Sequence, residues 1–174
     1  MILIGIDPGV NTGTAMWDTW TKELQVDSMT ILKAMRWVEL AYCKHGTRLF
    51  VIFEDARKRK WFGHMDREQK AYGAGVREGV GSVKRDCAIW EEFLKGLGVP
   101  FEMRYPSATK MKAEPFARLT GLTGRTNEHA RDAGMIVFGI NESIARAKLI
   151  AFNDGKESAG HRSPDHRGIT RPAV

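Results

Sequence analysis

The sequence predicts an α/β fold in which helices cover both faces of one mixed, five-stranded sheet. Five short apolar segments have the length and residue types of strands, and two of them are continuous apolar runs typical of buried strands. Amphipathic helical patterns alternate with the later strands. Since three strands come first and helices separate the others, helices packed on both faces of a single sheet are the simplest arrangement.

The first third of the chain is predicted to hold four strands and one helix. Residues 1–6 are rich in Ile and Leu and meet Asp-Pro-Gly, which indicates a buried strand followed by a turn. Residues 12–17 and 24–29 are predicted as two further strands of a meander. Apolar residues recur at three- and four-residue spacing over 31–42, as in an amphipathic helix, and 49–53 is a continuous apolar run typical of a strand covered on both faces.

The remaining two thirds are predicted to hold a long helix, a short strand and one or two further helices. Residues 66–97 carry an apolar stripe at helical spacing, 101–104 form the strand, and the last helix covers about 126–151. The expected buried face of that last helix consists of Ala133, Ile136, Val137, Ile140, Ile144 and Ala147. Residues 1–152 therefore form one domain, and 153–174, which have almost no apolar side chains, are expected to be a flexible tail.

The composition favours a basic protein of the cytoplasm. Of the 174 residues, 27 are Lys or Arg and 21 are Asp or Glu, so the net charge of +6 suggests an acidic partner, most commonly nucleic acid. Cys43 and Cys87 lack the spacing of a zinc site and are too few for a disulfide framework, which favours a reducing compartment. The opening apolar run is too short for a signal sequence, and no segment reaches the roughly 18 apolar residues of a membrane span.

Acidic residues stand where buried elements end. Asp7 and Glu54 each follow a buried strand, and open α/β sheets place their sites at those strand ends. His129 and Asp132 are three residues apart, so they extend the buried face of the last helix toward its N-terminus. Asp55 is expected to face away from Glu54, since strand side chains alternate.

Converging carboxylates repel one another unless a cation lies among them. Oxygen ligands with one imidazole suit Mg²⁺ or Mn²⁺ better than zinc. In a basic protein, such a site suggests phosphodiester cleavage by two metal ions, with no small-molecule cofactor.

Each of these residues also has a simpler interpretation. An Asp before Pro-Gly is commonly a turn former, and Glu54 has Arg57 nearby as an ion-pair partner. Asp132 favours a helix N-terminus, and a single His such as His129 is more often structural. The joint pattern favours a site, because three separate coincidences would otherwise be needed.

Three segments resemble the acidic motifs of the RuvC-type Holliday junction resolvases, and small phage or prophage members look most similar. They are Ile4-Gly5-Ile6-Asp7-Pro8-Gly9 with Thr12-Gly13, then Val51-Ile52-Phe53-Glu54, and Glu128-His129-Ala130-Arg131-Asp132-Ala133. The resemblance covers roughly residues 1–150. It implies a ribonuclease H-like fold and a homodimer that nicks four-way DNA junctions symmetrically, in the recombination and repair of a bacterial host or its phage.

The same resemblance implies roles for individual residues. Asp7, Glu54 and Asp132 would be metal ligands for two Mg²⁺ ions, with Mn²⁺ as a substitute. His129 stands where many relatives have Asp, and whether Glu128 also binds metal stays open. Lys110 and Lys112 match the basic segment of the family near its site, where either can stabilise charge that develops on the phosphate.

Basic and aromatic residues are predicted to contact DNA. Four consecutive cations and two aromatic rings follow shortly after Glu54, a pattern that suits phosphate contacts and base stacking. The alternative is a solvated turn whose Trp packs back onto the core. The expected DNA contacts are Arg57, Lys58, Arg59, Lys60, Trp61, Phe62, Lys110, Lys112, Arg118 and Arg125.

Glycines in the long helix suggest a dimer interface. Gly75 and Gly79 lie four residues apart and, with Val76 and Val83, would let a partner helix approach closely. Related resolvases dimerise through this element, and a two-fold pair would present two sites to two opposed strands. The alternative is that these glycines pack against the sheet of their own chain.

Other functions compete with junction resolution. A nuclease of the same fold could act on other branched DNA or on RNA–DNA hybrids, and a non-catalytic module could bind junctions without cutting them. Asp-x-Gly-x-x-Thr-Gly at residues 7–13 also resembles the phosphate loop of actin-like and sugar-kinase ATPases. Those enzymes need a second nucleotide-binding lobe, for which 174 residues leave no room.

Overall fold

The computed structural model describes residues 1–58, 69–107 and 110–160, with the backbone alone for 69–80 and 156–160. The strands are β1 (Ile2–Asp7), β2 (Asn11–Asp18), β3 (Leu24–Thr30), β4 (Leu49–Glu54) and β5 (Phe101–Arg104). The helices are α1 (Ile31–His45), α2 (Gln69–Leu97), α3 (Ala113–Thr120), α4 (Glu128–Val137) and α5 (Glu142–Gly160).

The five strands form one mixed sheet in the order β3-β2-β1-β4-β5. The β1–β2 and β2–β3 pairs are antiparallel, whereas β4 runs parallel to β1 and β5 runs parallel to β4. The predicted α/β class and five-stranded mixed sheet are therefore confirmed. This strand order is compatible with the expected ribonuclease H-like arrangement.

Helices cover both faces of the sheet, as predicted. Alternate residues of β1 and β4 (Ile2, Ile4, Ile6, Leu49, Val51 and Phe53) pack with α1 and α2. The intervening residues Leu3, Phe50 and Ile52 pack with α3, α4 and α5 on the other face. Because strand side chains alternate, Asp7 and Glu54 belong to the second set and face the α4 side of the sheet.

Helix α2 confirms the predicted apolar stripe where its side chains are described. Cys87, Trp90 and Leu94 are fully buried against the sheet. Val83, which belongs to the expected dimer interface, is half-buried and packs partly against the core of its own chain. The other three residues of the expected dimer interface, Gly75, Val76 and Gly79, fall outside the described side chains.

The prediction of one last helix over about 126–151 is wrong. Helix α4 ends at Val137, Gly139 has a φ of 76° that continues neither helix, and α5 begins at Glu142. The break resets the helical phase, so the expected core residues Ile144 and Ala147 are exposed, and Ala145 is buried instead.

The start and the end of this helical region also differ from the prediction. Asn127, one residue past the expected start, caps α4 by accepting a hydrogen bond from the Ala130 amide. Helix α5 continues to Gly160, so residues 153–160, which were expected to belong to the tail, are helical. Residues 161–174 fall outside the described part of the chain.

Among the described helices, none combines the length and apolar character needed to cross a membrane.

Candidate functional site

The carboxyl ends of β1 and β4 bring two of the predicted acids together. Ile6 and Phe53 are direct partners in this parallel pair, so the next residues, Asp7 and Glu54, follow at the same edge. Neighbouring strands lie about 4.8 Å apart, and both side chains face α4. Arg104 ends β5 as the direct partner of Glu54, which adds a cation to the same edge.

Two glycines let α4 lie directly on the sheet. A Cβ atom built on Gly13 would stand 2.0 Å from the carbonyl oxygen of His129, and one built on Gly5 would stand 2.3 Å from that of Ala133. His129 and Ala133 are one helical turn apart, so consecutive turns of the α4 backbone lie against β2 and β1. No residue larger than glycine fits beneath either turn.

This close contact places the first turn of α4 over the end of β1. His129 Nδ1 lies 2.9 Å from Asp7 Oδ2. Burial is the largest influence on Asp7 and raises the pKa of its carboxyl above the usual range, although the hydrogen bond to His129 opposes this shift. The negative charge of nearby Asp132 also raises the pKa of Asp7, as expected for two acids in one partly buried site.

Lys110 contacts two acids of α4 beside this group. Its Nζ donates to Glu128 Oε1 and lies 3.2 Å from Asp132 Oδ2. The hydrogen bond to Glu128 raises the pKa of Lys110, and the same bond lowers the pKa of Glu128. The Asp132 side chain is only 13% exposed, so Lys110 balances a largely buried carboxylate.

The acids and cations line one cleft of about 1070 Å³. It brings together the strand ends, the start of α4 and the segment before α3. Its charged and imidazole residues are Asp7, Glu54, Arg104, Lys110, Lys112, His129 and Asp132. The structure thus brings together all six residues that the sequence predicted as catalytic.

The residue types fit a Mg²⁺ or Mn²⁺ site, since carboxylate oxygens predominate and one imidazole accompanies them. In the described part of the chain, however, no three His, Cys, Asp or Glu side chains are grouped closely enough to hold a metal ion. Each acid has a protein donor: Asp7 contacts His129, Asp132 contacts Lys110, and Glu54 Oε1 accepts from the Ser107 amide at 3.1 Å. Metal binding would exchange some of these partners.

Two of the predicted DNA contacts are engaged inside the chain. Arg57 Nε lies 2.7 Å from Asp55 Oδ1, and its Nη2 lies 2.6 Å from Glu91 Oε2. Lys58 donates to the backbone carbonyl of Met103. These contacts tie the start of the basic segment to α2 and β5, so both side chains already have partners within the chain.

The sequence offered Arg57 as an ion-pair partner of Glu54, but Arg57 pairs with Asp55 instead. Asp55 is buried and faces away from the cleft that Glu54 lines, as strand alternation predicted.

The remaining predicted contacts fall into three groups. Lys112 is exposed and lines the cleft. Arg118 and Arg125 are exposed but do not line it, and Arg118 pairs with Glu114 at 3.2 Å. Arg59, Lys60, Trp61 and Phe62 lie outside the described residues.

Sequence reasoning missed three residues that shape the cleft. Arg104 and Tyr105 stand at the end of β5, and the strand-end argument used for Asp7 and Glu54 would have found them. Arg131 donates from Nε to the Met111 carbonyl at 2.9 Å and from Nη1 to the Thr126 carbonyl at 2.7 Å. It thereby holds the lysine-bearing segment against α4, a contact between distant residues that no local pattern indicates.

Comparison of the chain with family models, curated proteins and solved structures finds no match.

Proposed function

We propose that this protein is a metal-dependent endonuclease that nicks branched DNA, with four-way junctions as its preferred substrate. The observation that carries the proposal is the common cleft of Asp7, Glu54 and Asp132, which come from two strand ends and a helix. Cationic side chains line the same cleft and suit a phosphodiester substrate. The resemblance of the three motifs to RuvC-type resolvases supports the choice of junctions.

The acids would hold Mg²⁺ or Mn²⁺, with His129 as a further ligand or as the group that orients Asp7. When bound, such ions activate the attacking water and stabilise the leaving oxygen in phosphodiester hydrolysis. Burial of Asp7 and Asp132 strengthens their interaction with any cation, since the local dielectric is low.

The lysines would act on the phosphate. Lys112 is exposed at the cleft and is available to bind a non-bridging phosphate oxygen. Lys110 would leave Glu128 and Asp132 as metal and substrate enter, and its ammonium would then offset the charge that develops on the phosphate. Arg131 keeps both lysines at the cleft through the backbone of Met111.

Symmetric resolution also requires two copies of the site. We propose a homodimer that forms through α2 and presents both clefts to opposed strands of a junction. The helix spans Gln69–Leu97, and four of its five glycines lie in its first half. Such an enzyme would act in the bacterial cytoplasm.

A second candidate function is a junction-binding module without catalytic activity. The specific observation in its favour is that His129, Lys110 and the Ser107 amide already provide partners for the three acids. In such a module, the cleft would bind the DNA backbone through its cations alone.

One experiment separates these functions. Purified protein is incubated with a four-way junction, a linear duplex and an RNA–DNA hybrid, each in Mg²⁺ and in Mn²⁺. We expect paired nicks in the junction and little cutting of the other two. Preferred cutting of the hybrid would indicate a ribonuclease H-fold nuclease of another substrate class.

The matched variants are Asp7→Asn and Asp27→Asn. Asp7→Asn should abolish nicking and preserve junction binding, whereas Asp27, exposed on β3, should tolerate the same change without effect. If the wild-type protein binds junctions but never cuts them in either metal, the enzyme proposal is wrong and the binding module stands.

A further inference from the structure

Two large apolar side chains are exposed at the cleft that holds the acids. Val10 is 72% exposed in the turn between β1 and β2, and Tyr105 is 59% exposed directly after β5. Both line the cleft. Exposed aromatic and aliphatic groups that share a cleft with charged residues are typical of a binding surface, because water solvates them poorly.

The strand order places these residues on opposite sides of the acids. At the edge formed by the carboxyl ends of β1, β4 and β5, four residues follow one another in space. They are Val10 in the β1–β2 turn, Asp7 at the end of β1, Glu54 at the end of β4 and Tyr105 after β5. With strands about 4.8 Å apart, the row from Val10 to Tyr105 spans roughly 12 Å. That distance corresponds to about three or four stacked nucleotides at a rise of 3.4 Å.

The chemistry around the row favours a nucleic-acid strand as its occupant. Arg104, Lys110 and Lys112 line the same cleft and match the repeated negative charge of a phosphate backbone. A cationic groove with an exposed aromatic ring is the arrangement that proteins use for unpaired nucleotides, whose bases stack on the ring. Aliphatic side chains such as Val also contact the methyl group of thymine.

The backbone at Tyr105 is held in place by two elements. Asp55 donates its backbone N–H to the Arg104 carbonyl at 2.8 Å. Arg104 Nη1 donates to the Ile136 carbonyl of α4 at 2.9 Å. Tyr105 therefore follows a residue that is fixed relative to both the sheet and α4. These are the elements that carry Asp7, Glu54 and Asp132.

We propose that Tyr105 stacks on an unpaired nucleobase next to the phosphate in the cleft, and that Val10 contacts the nucleotide on the other side. Together they determine which nucleotides the protein prefers around the bound phosphate. This inference rests on the proposed function for its ligand class, a branched DNA with unpaired bases at the crossover. It assigns to the two residues a role in specificity and not in the chemical step.

Tyr105→Ala and Tyr105→Phe test the proposal, with Trp20→Ala as the matched control. Trp20 is an aromatic residue that is more exposed than Tyr105, at 87%, but it follows β2 at the opposite edge of the sheet. The probe is a four-way junction with 2-aminopurine at single positions around the crossover, whose fluorescence changes when the base leaves its stack. Binding is measured in Ca²⁺, and cutting positions are mapped in Mg²⁺ over a panel of crossover sequences.

We expect Tyr105→Ala to weaken junction binding about 5- to 150-fold, to remove the fluorescence change at one position and to broaden the set of cut sequences. Tyr105→Phe should stay close to wild type, because the ring is what stacks. Val10→Ala should alter preference on the opposite side of the cut. Trp20→Ala should change none of these readouts.

The failure of this inference differs from the failure of the proposed function. If Tyr105→Ala binds with wild-type affinity and gives the wild-type fluorescence change at every position, the stacking role is overturned, whether or not the protein cuts DNA. If wild type binds and shows the Tyr105-dependent change but never nicks, the catalytic proposal fails and the stacking role stands. If wild type does not bind the junction, both are wrong.

Discussion

Gly13→Ala should displace α4 from the sheet and uncouple His129 from Asp7. The added Cβ would stand 2.0 Å from the His129 carbonyl oxygen and 2.5 Å from its carbonyl carbon, whereas real Cβ contacts essentially never fall below 3.0 Å. The first turn of α4 must therefore retreat by at least about 1 Å, because both atoms belong to a backbone that cannot rotate aside. A similar shift would stretch the 2.9 Å bond between His129 and Asp7 past hydrogen-bond range.

The expected loss of stability follows from this clash. Overpacking a close contact costs about 1–3 kcal/mol, and the upper end applies because the neighbour is backbone. At this chain length, about 3 kcal/mol lowers the melting temperature by roughly 6–12 °C. Nicking should fall by about 100-fold, the usual consequence of a 1 Å error in a catalytic group.

The assay combines thermal unfolding by circular dichroism with single-turnover nicking of a four-way junction. Gly96→Ala is the matched control, since its Cβ meets nothing within 4 Å and it lies inside α2. It should be neutral or should stabilise the protein by about 0.4–1 kcal/mol. If the Gly13→Ala variant has the same melting temperature as the Gly96→Ala variant and nicks at the wild-type rate, the close contact of α4 with the sheet is not what positions His129.

Three further changes have expected outcomes. Burial holds the pKa of Asp7 above its usual range, so its ionised form lowers stability above about pH 4, and Asp7→Asn should raise the melting temperature near neutral pH while it abolishes nicking. Burial also acts to raise the pKa of Asp55, but the bonds from Arg57 outweigh it and leave that pKa lowered. Asp55 therefore stabilises the protein above about pH 4, and this contribution is lost as the pH falls through the lowered pKa; Asp55→Asn should destabilise near pH 7 and progressively less toward pH 3, by thermal unfolding. Arg131→Ala should lower the free energy of unfolding by about 2 kcal/mol, measured with urea, since it removes two hydrogen bonds, one of them to Met111.

Exposed residues supply the controls for these changes. Asp27→Asn should leave the melting temperature unchanged at either pH, and Arg118→Ala should cost little because its pair with Glu114 is exposed and formed within α3. Equal pH profiles for the Asp7 and Asp55 variants would contradict the opposite directions of their pKa values. An Arg131→Ala variant as stable as Arg118→Ala would show that the backbone contacts to Met111 and Thr126 contribute nothing measurable.

Local patterns were sufficient to predict most elements of the fold. Strand β5, Phe101–Arg104, has the predicted boundaries, and β4 differs only by including Glu54. In β4 the five consecutive apolar residues are all buried, as expected for a strand covered on both faces. The break between α4 and α5 was not predictable in this way, because Ile136, Ile140 and Ile144 keep helical spacing through it. A bond from Trp17 Nε1 to the Ile140 carbonyl, 2.7 Å long, fixes the connecting residues across a distance of 123 positions.

The sequence by itself determined which acids reach the cleft. Asp7 and Glu54 end buried strands, and the alternation of strand side chains settles their common face once the apolar residues are placed. His129 and Asp132 follow in the same way from the helical period of α4.

Only the tertiary structure decided how close these groups come and which cations they contact. Gly5 and Gly13 admit α4 to within backbone contact of the sheet, a property that appears only when two distant segments meet. Lys110 contacts Asp132, while Arg57, three residues after Glu54, pairs with Asp55 and Glu91 instead. Local periodicity specifies the direction of a side chain relative to its own element, whereas ion-pair partners depend on the packing of elements that are far apart in the chain.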